Sequence, residues 1–371
     1  MTPAARVQAA IDCLDRILAG APAEQELTGW ARRSRFAGAK DRAAIRDHVF
    51  DALRCRRSFA ALGGAETGRG LMLGALRSAG LSPDELFTGT PYAPEALSEA
   101  ELAAGRAPAP GAEAGDVPDW VWPLLESGFG AEAAEVAEAL RSRSAVHLRV
   151  NTARTTLEEA QAALAEEGIA TRPHPASLTA LEITEGARRL RNSQCYLDGR
   201  VELQDAASQA IVDALPLRPG MKVLDYCAGG GGKTLAVAAR GGLSVFAHDA
   251  AAQRLRDLPA RAERAGAKVR ILTTGELEAA GPFDIVLCDV PCSGSGAWRR
   301  SPDGKWRLTP ETLVKPDGLV AYATCSILPN ENDVQVQRVA DGGPGWSVTY
   351  RNFWDPREGT DGFFSAHLQR R

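Results

Sequence analysis

The sequence predicts an α/β protein. Its carboxyl-terminal half reads as a doubly wound sheet, preceded by a helical domain and a small α/β module. Three observations carry this. From residue 206 onward, short apolar runs alternate with helical patterns, as strands joined by crossover helices do. One junction, residues 223–234, runs strand, glycine loop, helix. Residues 3–62 instead carry apolar side chains at helical spacing.

Composition narrows the class. The chain has 371 residues, 44% hydrophobic and 24% charged, as in a soluble protein of two or three domains. No apolar run reaches the roughly 18 residues of a membrane span, and no export leader opens the sequence. A cytoplasmic monomer is the expectation. Seven cysteines without a CxxC pair suit reduced thiols. The five histidines, at 48, 147, 174, 248 and 367, are far apart in sequence, so no metal site is expected. Net charge is −4, but its distribution is uneven. Residues 31–60 hold nine Arg or Lys against three Asp, and residues 81–140 hold twelve acids against one Arg. The basic stretch is either a phosphate-binding face or a solvated helix surface.

Taken in order, Val7, Ala10, Ile11, Leu14, Ile17 and Leu18 mark a first helix, and Ala44, Ile45, Val49 and Leu53 another. Gly63 and Gly64 close that helical pair. The Ala-, Gly- and Pro-rich stretch 103–118 is a linker or a packed irregular connection. Residues 121–140 are helical again. The first domain is thus 1–140. Residues 141–205 form a small α/β module, with strands at 147–150, 181–183 and 201–203 and a helix over 155–167 capped by Thr155 or Thr156. The third domain, 206–371, has strands at 222–226, 243–247, 269–272, 283–288, 319–323, 347–351 and 363–368. The last two have no helix between them, which predicts an antiparallel edge.

The glycine loop admits three ligands. Gly232-Lys233-Thr234 imitates the end of a phosphate-binding P-loop, but Cys227 stands where that motif needs its first glycine. A dinucleotide fingerprint needs Gly or Ala at 234, where Thr234 stands. The third candidate is S-adenosylmethionine. Asp249, after the second strand, can accept ribose hydroxyls from either nucleotide ligand, or can simply cap a helix.

Residues 283–332 hold the chemistry. Cys292 and Cys325 each follow a short apolar strand, so both lie beyond the carboxyl ends of the sheet, where such folds bind ligands. One thiol is expected to be a nucleophile and the other to assist it. Cys13, Cys55, Cys195 and Cys288 read as structural, and Cys227 as a backbone contributor to the glycine loop.

Together these motifs resemble the bacterial Sun/Fmu family of RNA cytosine-5 methyltransferases, related to the NOP2/NSUN enzymes. The matching stretches are 147–151, 204–209, 227–234, 289–306, 323–326 and Glu331-Asn332. The resemblance implies a Rossmann-like S-adenosylmethionine-dependent methyltransferase domain, an all-α NusB-like RNA-binding domain over the first 140 residues, and a small α/β connector. It implies Cys325 as nucleophile on carbon 6 of cytosine, Cys292 as the residue that helps release product, and Asp289 beside both base and cofactor. Cys227, Ala228, Gly229, Gly230, Gly231, Gly232, Lys233 and Asp249 would bind S-adenosylmethionine. Arg149, Arg299, Arg300, Lys305 and Trp306 would meet RNA, most naturally small-subunit ribosomal RNA; the alternative is that Trp306 packs in the core and the arginines pair on the surface. The chain departs from the family in four places, one of them an abbreviated segment around residues 341–362. Gly230 replaces a usual proline, Thr273-Thr274 replaces an acid expected at the adenine, and the connection 307–318 is short for a crossover helix. Rival readings are a silent RNA-binding protein, a DNA cytosine-5 methyltransferase with Cys292 as nucleophile, and an NAD enzyme.

Overall fold

The structure is a computed structural model that describes residues 1–290, 292–308, 321–341 and 346–370. The short connection expected at 307–318 lies largely outside them. The chain forms two compact units. One holds residues 1–143 and also 297–308; the other holds 144–296 and the described residues from 321 onward. Residues 144–205, most of the module expected at 141–205, form a separate sheet within the second unit.

The first unit is helical, with α1 (Pro3–Leu18), α2 (Ala23–Arg33), α3 (Ala39–Arg54), α4 (Arg56–Gly63) and α5 (Gly68–Ser78). The apolar positions read from the sequence, from Val7 to Ile17 on α1 and from Ile45 to Leu53 on α3, converge in one core. α4 and α5 touch backbone to backbone, since a Cβ on Gly74 would lie 1.9 Å from the Phe59 carbonyl oxygen. The stretch 103–118 is packed, not a free linker. Its Asp116 is fully buried, accepts from the N–H groups of Arg57 and Ser58 at 2.9 and 2.8 Å, and so caps the first turn of α4. It also pairs with Arg141 at 2.8 Å. The helical stretch expected over 121–140 is two helices, Trp122–Phe129 and Ala133–Arg141, separated at Gly130, whose φ is +55°.

Residues 297–308 complete this unit. The last carbonyls of any helix lack intrahelical partners. Those of α3 are met here: Trp306 Nε1 donates to Leu53 O at 2.6 Å and Lys305 Nζ to Arg54 O at 3.1 Å. Arg54 Nε returns a bond to Arg299 O at 2.8 Å, and the Arg299 guanidinium donates to Ser142 Oγ and Arg143 O. The expected RNA contacts of Arg299 and Lys305 are thereby corrected. Both side chains are buried and spent on backbone carbonyls, and an ammonium with no exposure cannot reach a phosphate. Trp306 is half-buried under Arg56, so the packing alternative describes it better. Arg300 is exposed.

The second unit carries two sheets. The smaller has β1 (Val146–Val150), β2 (Ala170–Pro173), β3 (Ala180–Glu185) and β4 (Val201–Leu203), all antiparallel in the order β2-β3-β1-β4. The larger has β5 (Lys222–Asp225), β6 (Ser244–Ala247), β7 (Val269–Ile271), β8 (Ile285–Asp289), β9 (Ala321–Thr324), β10 (Trp346–Trp354) and β11 (Phe363–Arg370). Its order is β10-β11-β9-β8-β5-β6-β7. β5 to β9 pair in parallel, while β11 pairs antiparallel with both β9 and β10, giving the expected antiparallel edge. From β5 the chain moves outward to β6 and β7, then returns to the other side of β5 as β8. That reversal opens a crevice at the carboxyl ends of β5 and β8, where folds of this kind bind ligands. No helix among the described residues is long and apolar enough to cross a membrane.

One packing consequence is measurable. Burial pushes the Lys305 ammonium down to about 8 from its usual 10.5. Between those values the unfolded chain binds more protons than the folded one, so stability should rise as pH climbs from 8 to 10.5. In urea unfolding, Lys305→Met should lack this rise, which in the parent chain can reach about 3 kcal/mol.

Candidate active site

Two loops leave the crevice strands β5 and β8, and a third leaves β9. The loop after β5 is the glycine run. Gly229 and Gly231 have φ of +52° and +77°, conformations that L side chains rarely adopt. A Cβ on Gly231 would also sit 2.3 Å from Leu258 Cδ1. Asp249, after β6, accepts from the N–H groups of Gly229 and Ala251, both at 2.9 Å, and pairs with Arg254 at 3.1 Å. It thus ties the loop after β6 to the glycine loop. At the end of β5, Asp225 is buried. Thr234 Oγ1 donates to its Oδ2 at 2.7 Å, while Oδ1 has no partner among the described residues. Burial raises this carboxyl to about 6.

Lys233 begins the helix Gly232–Ala238 and reaches across to β8. Its Nζ lies 2.7 Å from Asp289 Oδ2 and 4.9 Å from the centre of the Phe363 ring. Burial works against the ammonium's charge, but the Asp289 carboxylate outweighs it and raises the Lys233 pKa. A fixed positive charge therefore sits beside Asp289.

The loops after β8 and β9 bring the two cysteines together, with Cys292 Sγ 3.4 Å from Cys325 Sγ. Either thiol can donate to the other; this contact lowers Cys292 and raises Cys325, and burial adds to the rise at Cys325. The Gly294 N–H also favours the Cys292 thiolate, and Lys233 pulls Cys325 the other way. What holds the loops is Glu331. Its carboxylate accepts from Ser293 N at 2.9 Å, from Ser293 Oγ at 2.6 Å and from Ser326 Oγ. Ser295 Oγ accepts from Ile327 N at 2.8 Å, and Gly296 N donates to Cys325 O at 2.9 Å. Gly296 must be glycine, since a Cβ there would lie 1.9 Å from Gly362 O.

The structure thus gathers Cys325, Cys292, Asp289 and Lys233 at neighbouring strand ends, with 227–232 and Asp249 on the adjoining loops. Burial raises Cys227 to about 11, against a nucleophilic role. It raises Cys13 and Cys288 to about 12, Cys55 to about 11, and Cys195 as well. Arg149, expected at RNA, is buried instead, and its Nη1 donates to Gln204 Oε1 and, at 2.7 Å, to Gly232 O. Thr274, in the expected adenine region, bonds His248 Nε2 at 3.1 Å. Sequence reasoning quoted Glu331 only as part of a matching motif and missed its carboxylate role; the signal was an acid six positions after Cys325. It also missed Asp225, and the stack of Tyr226 on His248 at 4.8 Å. Sequence distance misled on the histidines: donor atoms of His147, His174 and Glu182 lie within 4.8 Å of one another. Arg172 holds Glu182 by three hydrogen bonds and Asp205 holds His147 Nδ1 at 3.0 Å, while His147 Nε2 is buried without a partner among the described residues.

Comparison with known proteins agrees with this geometry. The family model for 16S rRNA methyltransferase RsmB/F matches residues 212–314, and that for the RsmF/B-like ferredoxin-like domain matches 117–188. Ribosomal RNA small subunit methyltransferase B of Vibrio cholerae is 32% identical over 286 residues, covering 68% of this chain and 65% of that protein. The probable counterpart in Synechocystis is 28% identical, covering 68% and 66%. The chain thus spans about two thirds of the length of these curated relatives. Among solved structures, that of PH0851 superposes with a TM-score of 0.71 at 21% identity, covering 100% of this chain and 99% of its own. A methyltransferase homolog from Pyrococcus horikoshii gives 0.57 at 24% identity, covering 68% and 95%. These likenesses establish a Rossmann-like methyltransferase fold.

Glu331 supplies the test of this site's architecture. Glu331→Ala leaves three donors without their acceptor, which should cost about 2–3 kcal/mol in urea unfolding. Glu331→Gln, which keeps an acceptor oxygen, should lose less.

Proposed function

The chain belongs to the 16S rRNA methyltransferase RsmB/F family, and from that premise we propose that it methylates carbon 5 of a cytosine in RNA, using S-adenosylmethionine and a covalent cysteine–cytosine intermediate. The names of the relatives make small-subunit ribosomal RNA the first substrate to try. The observation that carries the chemistry is the pair of thiols 3.4 Å apart, on loops after adjacent strands, beside Asp289.

The glycine loop suits the cofactor. Gly229 and Gly231 leave a cradle without side chains, and the unpartnered Asp225 Oδ1 suits an ammonium such as that of the methionine moiety. An ionised carboxylate offers about four acceptor sites, so Asp249 keeps capacity for a ribose hydroxyl. When bound, S-adenosylmethionine supplies an electrophilic methyl group. Carbon 5 of cytosine is a poor nucleophile until a thiolate adds to carbon 6 and makes an enamine-like intermediate. Cys325 makes that addition and Cys292 accepts its proton. Negative charge builds at N3, and the Lys233 ammonium, held by the Asp289 carboxylate, offsets it. Cys292, having passed its proton to solvent, or a water it orients, then removes the carbon-5 proton, and Cys325 is expelled.

RNA docking is assigned to the helical unit. A groove of about 740 Å³ between α2 and α3 is lined by Trp30, Arg32, Arg35, Arg42 and Arg46. Arg32 and Arg35 are exposed, and next to them Phe36 is 77% exposed, a cation-and-aromatic pairing that suits single-stranded RNA. This supports the phosphate-face reading of residues 31–60.

One feature favours a second reading: the 3.4 Å contact between the thiols lets either one donate, and it lowers Cys292 while raising Cys325. In that reading Cys292 attacks carbon 6.

Trapping separates the two. With small-subunit ribosomal RNA and S-adenosylmethionine, Cys292→Ala should accumulate a covalent RNA adduct on a denaturing gel. Cys325→Ala should give neither adduct nor methylated product. The reverse pattern assigns the attack to Cys292, and no transfer by the parent chain favours a silent RNA-binding protein. Independently, Arg32→Ala and Arg35→Ala should each weaken RNA binding at every sequence and lower its log–log salt slope by about 1. Phe36→Ala should weaken binding about tenfold without changing that slope.

A further inference from the structure

Four consecutive glycines, Gly229 to Gly232, make the cofactor loop costly to order, because glycine loses more conformational freedom on folding than any other residue. Here the loop is held from outside, at two carbonyls. Arg149 Nη1 donates to Gly232 O at 2.7 Å, and Arg261 Nη1 donates to Gly230 O. Arg261 also fills the space a ring at 230 would need: a Cβ on Gly230 would lie 3.0 Å from its Nη1. Arg261 is in turn aimed by Glu202, whose Oε2 accepts from Arg261 Nε at 3.3 Å and from Arg264 Nη2 at 2.6 Å. Glu202 is buried on β4 and stands directly across from Arg149 on β1. The small sheet therefore supplies both Arg149 and the carboxylate that orients Arg261.

We propose that Arg261, oriented by Glu202, is a positioning residue that holds the glycine loop in its cofactor-binding shape. The inference rests on the cofactor reading above but can be tested apart from it. At 230, φ lies outside the left-handed region and the Gly230 N–H makes no hydrogen bond among the described residues, so a proline there removes no donor in use. Proline and Arg261 are thus alternative solutions to one problem, and their effects should not add.

The experiment compares the full chain with Arg261→Ala, Glu202→Gln, Gly230→Pro and the double variant Gly230→Pro/Arg261→Ala. Binding of S-adenosylhomocysteine is read by calorimetry, and amide exchange of residues 228–232 is read without ligand. Arg261→Ala should weaken binding about tenfold, as loss of one charge-assisted hydrogen bond does, and should speed exchange in the loop. Glu202→Gln should do the same to a smaller degree. In the double variant, the proline should restore both affinity and protection. Methyl transfer at saturating cofactor should keep its kcat in Arg261→Ala while KM for the cofactor rises. The proposal is overturned if Arg261→Ala leaves loop exchange unchanged, or if the proline fails to rescue it. If the parent chain does not bind S-adenosylhomocysteine, the cofactor reading fails while loop exchange still decides the clamp.

Discussion

One buried carboxylate fixes the chemistry of this protein. Cys292 and Cys325 leave different strands, 33 positions apart, and a thiol pair has little attraction of its own to hold two loops in register. Glu331 does that work by accepting from a backbone N–H and two serine hydroxyls, so the two loops share one acceptor. Hydrogen bonds to an ionised acceptor are the stronger kind, and in a buried site they are not diluted by water. The serines that flank the cysteines are thus as much part of the site as the thiols.

The second dependence is on charge. Lys233 comes from the helix that follows the glycine loop, and Asp289 ends the strand that leads to Cys292. Their ion pair joins the glycine-loop side of the crevice to the cysteine side. Asp225, next to them, is buried with one oxygen unpartnered, an arrangement that is expensive unless a ligand meets it. The crevice therefore holds more polar capacity than the protein itself satisfies.

Much of this was legible in the sequence, and the reasons differ by element. The strands of the large sheet and their antiparallel edge follow from apolar runs of strand length, and each lies within two or three residues of its expected span. The cysteines could be placed because the ends of parallel strands are fixed by topology. The basic residues were harder. Arg149, Arg299 and Lys305 look like phosphate ligands in a list of residues, but whether a cation meets a phosphate or a backbone carbonyl depends on where a helix ends in space. Sequence spacing does not encode that, and the three are taken up by the carbonyls of Gly232, Arg143 and Arg54. The residues that now best suit RNA, Arg32, Arg35 and Phe36, lie in the basic stretch that composition had marked, but only exposure singles them out.

The placement of residues 297–308 bears on how this protein can be divided. They follow the Cys292 loop in the chain yet belong to the helical unit, where Trp306 and Lys305 cap α3. No single cut therefore separates the two units. A fragment beginning at residue 144 would carry the Lys305 and Trp306 donors without the α3 carbonyls that receive them. The helical unit, cut away at 143, would keep unmet carbonyls at the end of α3. For this chain, inheritance of the two units as a pair is written into the thread of the backbone, and recombination that exchanged only the first 143 residues would have to preserve the surface that receives a segment encoded far downstream.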